Sequence, residues 1–247
     1  NGDKEYEDGR IETSDGGLRQ ADGSIKYQNG DVRDKDGNLS IMQKDGILVH
    51  PDGSVTLKDG TLVPIATDAN FSGTSDGNFK YIGTKSSIVL PNVIKGVTLT
   101  KANSMFYNKH IERVVSLEND ITNMKSMFQY SPATSLDLSS FDTSKVTNMS
   151  YMFAYSQATS LDLSNLDTSN VTDMNWMFAY SQATSLDLSS FNTSKVTNMG
   201  AMFRDSKATS INVSSFDTSN VTDMQNMFAS SQATSLDLSS FDTSKVT

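Results

Sequence analysis

Over the second half of the chain the hydrophobic letters recur at a fixed interval. Leu136, Leu161, Leu186, Ile211 and Leu236 follow one another every 25 residues. Within one unit, Ala133, Leu136, Leu138 and Phe141 are separated by polar residues in the manner of a strand with one buried face. Val146, Met149, Met152 and Phe153 then carry the i, i+3, i+6, i+7 spacing of a short helical return. One strand and one return per unit predict a solenoid over 134–247, whose parallel sheet gains a strand per repeat at about 4.8 Å.

Upstream the pattern thins and then changes. Ile121, Met124, Met127 and Phe128 repeat the return motif, and Leu99, Ala102, Met105 and Phe106 are a degenerate copy. Residues 65–133 are therefore expected to be a β-rich cap with degenerate first repeats, with short strands at 79–82, 87–90 and 97–100. Before that, Asp-Gly or Asn-Gly dipeptides begin at Asp8, Asp15, Asp22, Asn29, Asp36, Asp45, Asp52 and Asp59, seven residues apart except for one gap of nine. These dipeptides favour type I′ hairpin turns, so residues 1–64 are expected to be an antiparallel meander with five strand residues between two-residue turns. Each strand offers one aliphatic side chain, among them Ile11, Leu18, Ile25 and Val32. That is too little for a sandwich core and suggests a thin sheet.

Composition narrows the partners more than the fold. Hydrophobic residues make up 36% of the 247, which favours an extended architecture over one thick core. The formal charge of −9 argues against nucleic acid or an anionic membrane as partner, since phosphate binding needs clustered Lys and Arg. Absence of cysteine excludes disulfides and thiolate metal sites. No run is long and apolar enough for a membrane helix, so no membrane insertion is expected in this segment. The polar opening "NGDKEYED" predicts a processed chain or a fragment, and the final "SFDTSKVT" breaks off before its Met-x-x-Met-Phe. The last repeat is thus expected to continue in a longer array or to be covered by a neighbouring copy.

Several columns of the array bear candidate chemistry. Asp137, Asp162, Asp187, Asn212 and Asp237 form one column, and Asp142, Asp167, Asn192, Asp217 and Asp242 another. Stacked carboxylates repel, and hydrogen bonds from neighbouring Ser, Thr and backbone N–H groups relieve this more simply than calcium does. Lys145, Asn170, Lys195, Asn220 and Lys245 alternate, which avoids a ladder of like charges. Eleven of the twelve methionines lie in inward columns, as core filling rather than soft-metal ligands. Tyr151 and Trp176 share one drifting column and Tyr130, Tyr155 and Tyr180 another, placing five rings at one edge. Exposed Tyr and Trp anchor protein and sugar contacts, whereas rings that only stack on one another shield the edge. The two histidines, His50 and His110, stand in different segments, and no nucleophile motif accompanies them.

The strand pattern and the phrases "LDLSSFDTSKVTNMSYMF" and "FKYIGTKSSIVLPNVIKGVTLT" closely resemble the BspA-type leucine-rich repeats of bacterial surface proteins, also called the Listeria-lipoprotein or Mycoplasma-type surface repeat. The resemblance covers about 77–247. It implies a right-handed leucine-rich-repeat solenoid in a cell-surface or secreted protein, used in adhesion or interaction and with no catalytic residues. Ser131, Ser156, Ser181, Ser206 and Ser231 stand where that family often has Cys. The Asp-Gly segment loosely resembles the single-layer G-box sheets of centriole-assembly proteins. The expected binding residues are the five rings and the outward strand positions Ser135, Asp137, Ser139, Asp162, Asp187 and Asp237. The expected partner is a host or matrix protein or glycan, or further copies of the chain, the alternative role being a subunit of an extracellular filament or layer. Neither a cofactor nor a metal is expected.

Overall fold

Glycine sets the corners of the N-terminal sheet. In the computed structural model, which describes residues 2–6, 10–43, 46–73, 77–116 and 120–247, residues 1–65 and 66–247 form two compact units. Among the described residues the first carries nine strands in chain order, each paired antiparallel with the next. They are β1 (Lys4–Glu5), β2 (Ile11–Glu12), β3 (Leu18–Arg19), β4 (Ile25–Lys26), β5 (Val32–Arg33), β6 (Leu39–Met42), β7 (Leu48–Val49), β8 (Val55–Thr56) and β9 (Leu62–Val63). The meander is present, with a different turn. Gly23 N–H donates to Gln20 O at 3.0 Å and Gln20 N–H to Ser24 O at 2.7 Å, and the same pair of bonds recurs at Gly16, Gly30, Gly37, Gly46, Gly53 and Gly60. Among the Asp-Gly and Asn-Gly corners, only the glycines have positive φ, from +81° to +93°. These are three-residue loops closed by a left-handed glycine, not type I′ turns, and the wider loop leaves strands mostly two residues long. The Asp instead accepts from the backbone two residues on, as Asp22 Oδ1 does from Ser24 N–H at 2.9 Å. Asp8-Gly9 and Asp45 lie outside the described residues.

Register divides the aliphatic residues between two faces. Ile11 pairs with Arg19, Arg19 with Ile25, Ile25 with Arg33 and Arg33 with Leu39. The other face carries Glu12, Leu18, Lys26, Val32 and Ser40 in the same succession. Seven is odd, so a residue type repeated every seven positions along a meander changes face at each strand. Only from the second half of β6 onward do neighbours become aliphatic as well, giving the row Ile41, Val49, Val55, Val63, in which Val55 and Val63 are fully buried.

In the second unit, β10 (Phe71–Gly73) pairs antiparallel with β11 (Phe79–Tyr81). Next come β12 (Ser87–Val89), the hairpin of β13 (Val93–Ile94) and β14 (Val97–Thr98), and β15 (Arg113–Val115), which lies parallel to β12. The β13–β14 turn does have positive φ at both centres, Lys95 and Gly96. Then follow β16 (Ser135–Leu136), β17 (Ser160–Leu161), β18 (Ser185–Asp187) and β19 (Ser210–Asn212), with β16 parallel to β17 and β18 parallel to β19, both in 25-residue register. Thr184 N–H to Thr159 O, at 3.1 Å, continues the register between the two pairs.

The expected helical return is absent: the sole helix among the described residues is the 3₁₀ turn Asp68–Asn70. Between Met149 and Ser156 the N–H groups alternate in duty. Those of Met152, Ala154 and Ser156 close i→i+3 turns, while those of Met149, Tyr151, Phe153 and Tyr155 bond to carbonyls of the next repeat. An α-helix needs every N–H for its own i−4 carbonyl, so this ribbon of turns keeps near-helical spacing of side chains without a helical ladder. Its inward side chains form the core. Phe106, Phe128, Phe153, Phe178, Phe203 and Phe228 stack with centroids 5.2–6.0 Å apart. Ten of the eleven inward methionines are buried, and Met224 is partly so.

Candidate functional site: a ladder of aromatic rings at left-handed corners

The turn ribbon has two corners per repeat at which the backbone turns left-handed. They fall at Ser126, Tyr151, Trp176, Ala201 and Asn226, and at Tyr130, Tyr155, Tyr180, Asp205 and Ser230, with φ between 52° and 59°. These are the two drifting columns that hold the five predicted rings. Asn or Gly adopts this conformation most readily, and a bulky side chain there is disfavoured by about 1–2 kcal/mol. Stacking offsets part of that strain, at about 0.5–1.5 kcal/mol per pair. Tyr130 and Tyr155 lie 4.5 Å apart at 9°, Tyr155 and Tyr180 4.6 Å at 4°, and Tyr151 and Trp176 5.5 Å at 9°. Trp176 lies 6.3 Å from Tyr180 and joins the two columns.

Three participants went unseen in the sequence reading. Tyr107 extends the ladder, 5.3 Å from Tyr130. It follows Met105-Phe106 directly, one position before the left-handed corner, which Asn108 occupies with φ 53°, so it lies outside the column of Tyr130 and periodicity does not mark it. Lys125 lies 5.8 Å over the Tyr151 ring and Arg204 5.6 Å over Trp176, capping that two-ring stack with a cation at each end. Tyr130 and Tyr107 are exposed, the other four rings half-buried. Burial and the neighbouring Tyr130 and Tyr180 raise the Tyr155 phenol above its ordinary value.

The outward strand residues lie elsewhere on the repeat and serve its turns. Ser135, Ser139, Asp162, Asp187 and Asp237 are exposed and Asp137 is half-buried. Asp162 Oδ1 accepts from Ser164 N–H at 3.1 Å and Oγ at 2.6 Å. Asp187 accepts from Ser189 N–H and from Asn212 Nδ2, each at 3.1 Å, and Asp237 accepts from Ser239 N–H at 3.0 Å. These bonds, the serine hydroxyl first, hold all three carboxyls below their ordinary pKa. Asp137 accepts from Ser139 and from Arg113 Nε at 2.8 Å, and these bonds outweigh its burial to lower its pKa too. Ser87, Glu112, Arg113, Ser135, Asp137 and Ser160 line a shallow groove at this end of the strand face. In the alternating column, Lys195 Nζ donates to Asn170 Oδ1 at 2.6 Å and Lys245 Nζ to Asn220 Oδ1 at 3.0 Å. Among the described residues, no group of three or more His, Cys, Asp or Glu side chains could hold a metal ion, and no helix is long and apolar enough to cross a membrane.

Parallel pairing at a constant 25-residue offset, with identical side chains stacked column upon column, defines the second unit as a repeat protein built mainly of β-structure. Family comparison agrees: residues 100–212 and 179–247 match the family described as Mycoplasma protein of unknown function, DUF285. The matches span more than half of the chain, which therefore belongs to that family. No curated protein and no solved structure matches it.

Proposed function

We propose that this chain is a bacterial cell-surface or secreted interaction protein. Its second unit is a right-handed leucine-rich-repeat solenoid, and its ligand is a host or matrix protein held at the aromatic edge. One observation carries the reading. Six rings, Tyr107, Tyr130, Tyr151, Tyr155, Trp176 and Tyr180, gather at one edge, five of them at left-handed corners where a smaller residue is less strained. A fold that needs only the corner is served by Ser, Ala, Asp or Asn, the residues that occupy it at 126, 201, 205, 226 and 230. Because the faces of Tyr151, Tyr155 and Trp176 are covered by neighbouring rings or by Lys125 and Arg204, ring edges and phenol hydroxyls are what these central residues offer. That favours a protein partner over a glycan, which would stack a sugar on an open ring face. The unit binds and does not catalyse.

Replacing both Tyr151 and Trp176 by Asn keeps residues suited to the left-handed corner and removes the rings. Attachment to immobilised host-matrix protein should weaken by a hot-spot amount, about 2 kcal/mol or more, with an unchanged circular dichroism spectrum. Undiminished attachment by a folded variant would remove the edge from consideration.

A further inference from the structure

The tyrosines of the ladder differ from the others in how their hydroxyls are used. Tyr6 donates to Glu12 Oε2 at 2.6 Å, Tyr27 donates to Asp15 Oδ2 at 2.7 Å while accepting from Arg33 Nε, and buried Tyr81 donates to Lys85 O at 3.2 Å. No hydrogen bond joins the hydroxyls of Tyr107, Tyr130, Tyr151, Tyr155 or Tyr180 to any described residue. The ladder thus combines open phenols with close packing: Tyr130, Tyr155 and Tyr180 succeed one another near-parallel at 4.5 and 4.6 Å, and Tyr107 stands 5.3 Å from Tyr130, tilted by 57°. Each ring in the middle of the row has another phenol on both sides.

We infer that this row is a site of oxidative cross-linking, at which peroxide acting through a haem peroxidase joins tyrosines of consecutive repeats as dityrosine. Each of two neighbouring phenols loses its hydroxyl hydrogen, as one electron and one proton, to the oxidant. The two phenoxyl radicals couple through a Cε–Cε bond, and the hydrogen on each coupled carbon moves to the phenol oxygen to restore both rings. One hydrogen peroxide is reduced to two waters. The exposed rim leaves Tyr130 and Tyr107 room to swing from the stack so that the ring carbons meet. Elsewhere a tyrosyl radical has no second phenol in stacking contact and must wait for another molecule; in the ladder its partner is already in place. Contact along the row also allows a radical formed at exposed Tyr107 or Tyr130 to exchange with Tyr155 and Tyr180. The bond ties positions 25 residues apart, or 23 for the first pair, and so staples repeat to repeat.

The test treats the full chain, at low concentration, with horseradish peroxidase and hydrogen peroxide. It reads dityrosine fluorescence, mobility on a denaturing gel, and the linked peptides by mass spectrometry. Tyr130 and Tyr155 fall on different tryptic peptides because Lys145 separates them, which makes their link directly visible. The expected result is dityrosine in a chain of monomer mass, joining neighbours in the row, with a raised Tm. Tyr155→Phe keeps the stack and removes the central phenol, and should lower the fluorescence severalfold without altering the fold. Links mainly between chains, links at Tyr6 or Tyr27, or an undiminished yield from Tyr155→Phe would each overturn the inference.

Discussion

Thr193 shows how single side chains hold one repeat to the next. It is 1% exposed; its Oγ1 donates to Asp217 O at 2.9 Å and accepts from Asp217 N–H at 2.9 Å, and Thr168 and Thr218 do the same one repeat away. Thr193→Val preserves the shape and strands both backbone groups, so chemical denaturation should show a loss of about 1–3 kcal/mol. Leu186, 1% exposed, tests the other half of the core. Leu186→Ala should be destabilising by about 2–5 kcal/mol, whereas Ser189→Ala on the exposed face should change stability by less than about 0.5 kcal/mol. Equal effects of the last two would contradict the inward and outward assignment. The leucine was legible from its alternation with polar letters. The threonine was not, because a polar letter in a Ser/Thr-rich repeat reads as surface, and only the facing carbonyl and N–H of the next repeat make it a core residue.

At the scale of the element, the hairpin corners separate two effects of a side chain. Gly37 has φ +92° and a Cβ there would meet nothing within 4 Å, while Gly53 has φ +82° and its Cβ would lie 2.7 Å from Ile65 Cδ1. Both positions disfavour alanine through φ alone, by about 1 kcal/mol. Gly53→Ala must also displace Ile65, so thermal melts of the full chain should rank Gly53→Ala below Gly37→Ala, and the reverse order would refute this. Gly17 marks a different need, since Ile25 and Tyr27 pack across it and its Cβ would sit 2.2 Å from Ile25 Cγ2. The Asp-Gly spacing made the meander legible, but the turn type was misread. Asp-Gly suits both a two-residue loop and a three-residue loop with a left-handed glycine, and which forms depends on where the strand hydrogen bonds close.

For the molecule as a whole, the carboxylate caps set a dependence on pH. Bonds from the following serine, side chain first, lower Asp162, Asp187 and Asp237 from 3.8, and Asp217 and Asp242 are lowered likewise, by the backbone N–H first. A folded-state pKa below the unfolded value means that the unfolded chain takes up protons first as pH falls. The stabilisation is therefore fully present above the unfolded value and is lost as pH drops through 3.8 towards the depressed values. Calorimetric melts should give a nearly constant Tm from neutral pH to about 5 and a fall below about 4. A Tm that rises on acidification through this range would mean that repulsion between stacked carboxylates outweighs their caps.

The sequence by itself determined the period and the inward columns, because burial selects side chains and a 25-residue period repeats that selection openly. It also determined that the N-terminal chain turns back at Gly16, Gly23, Gly30, Gly37, Gly46, Gly53 and Gly60, since positive φ excludes most other residues. The tertiary structure decided where the N–H groups go. Met149, Met152 and Phe153 have the spacing of a helix, yet alternate N–H groups bond to the adjacent repeat, and a choice between local and neighbouring carbonyls leaves no mark on hydrophobic periodicity. From that choice follow the left-handed corners, and from the corners follow the aromatic ladder and the cations that cap it. Two columns of Tyr and Trp could be read from the letters; that their rings cover each other's faces depended on a backbone conformation that repeat-to-repeat pairing imposes.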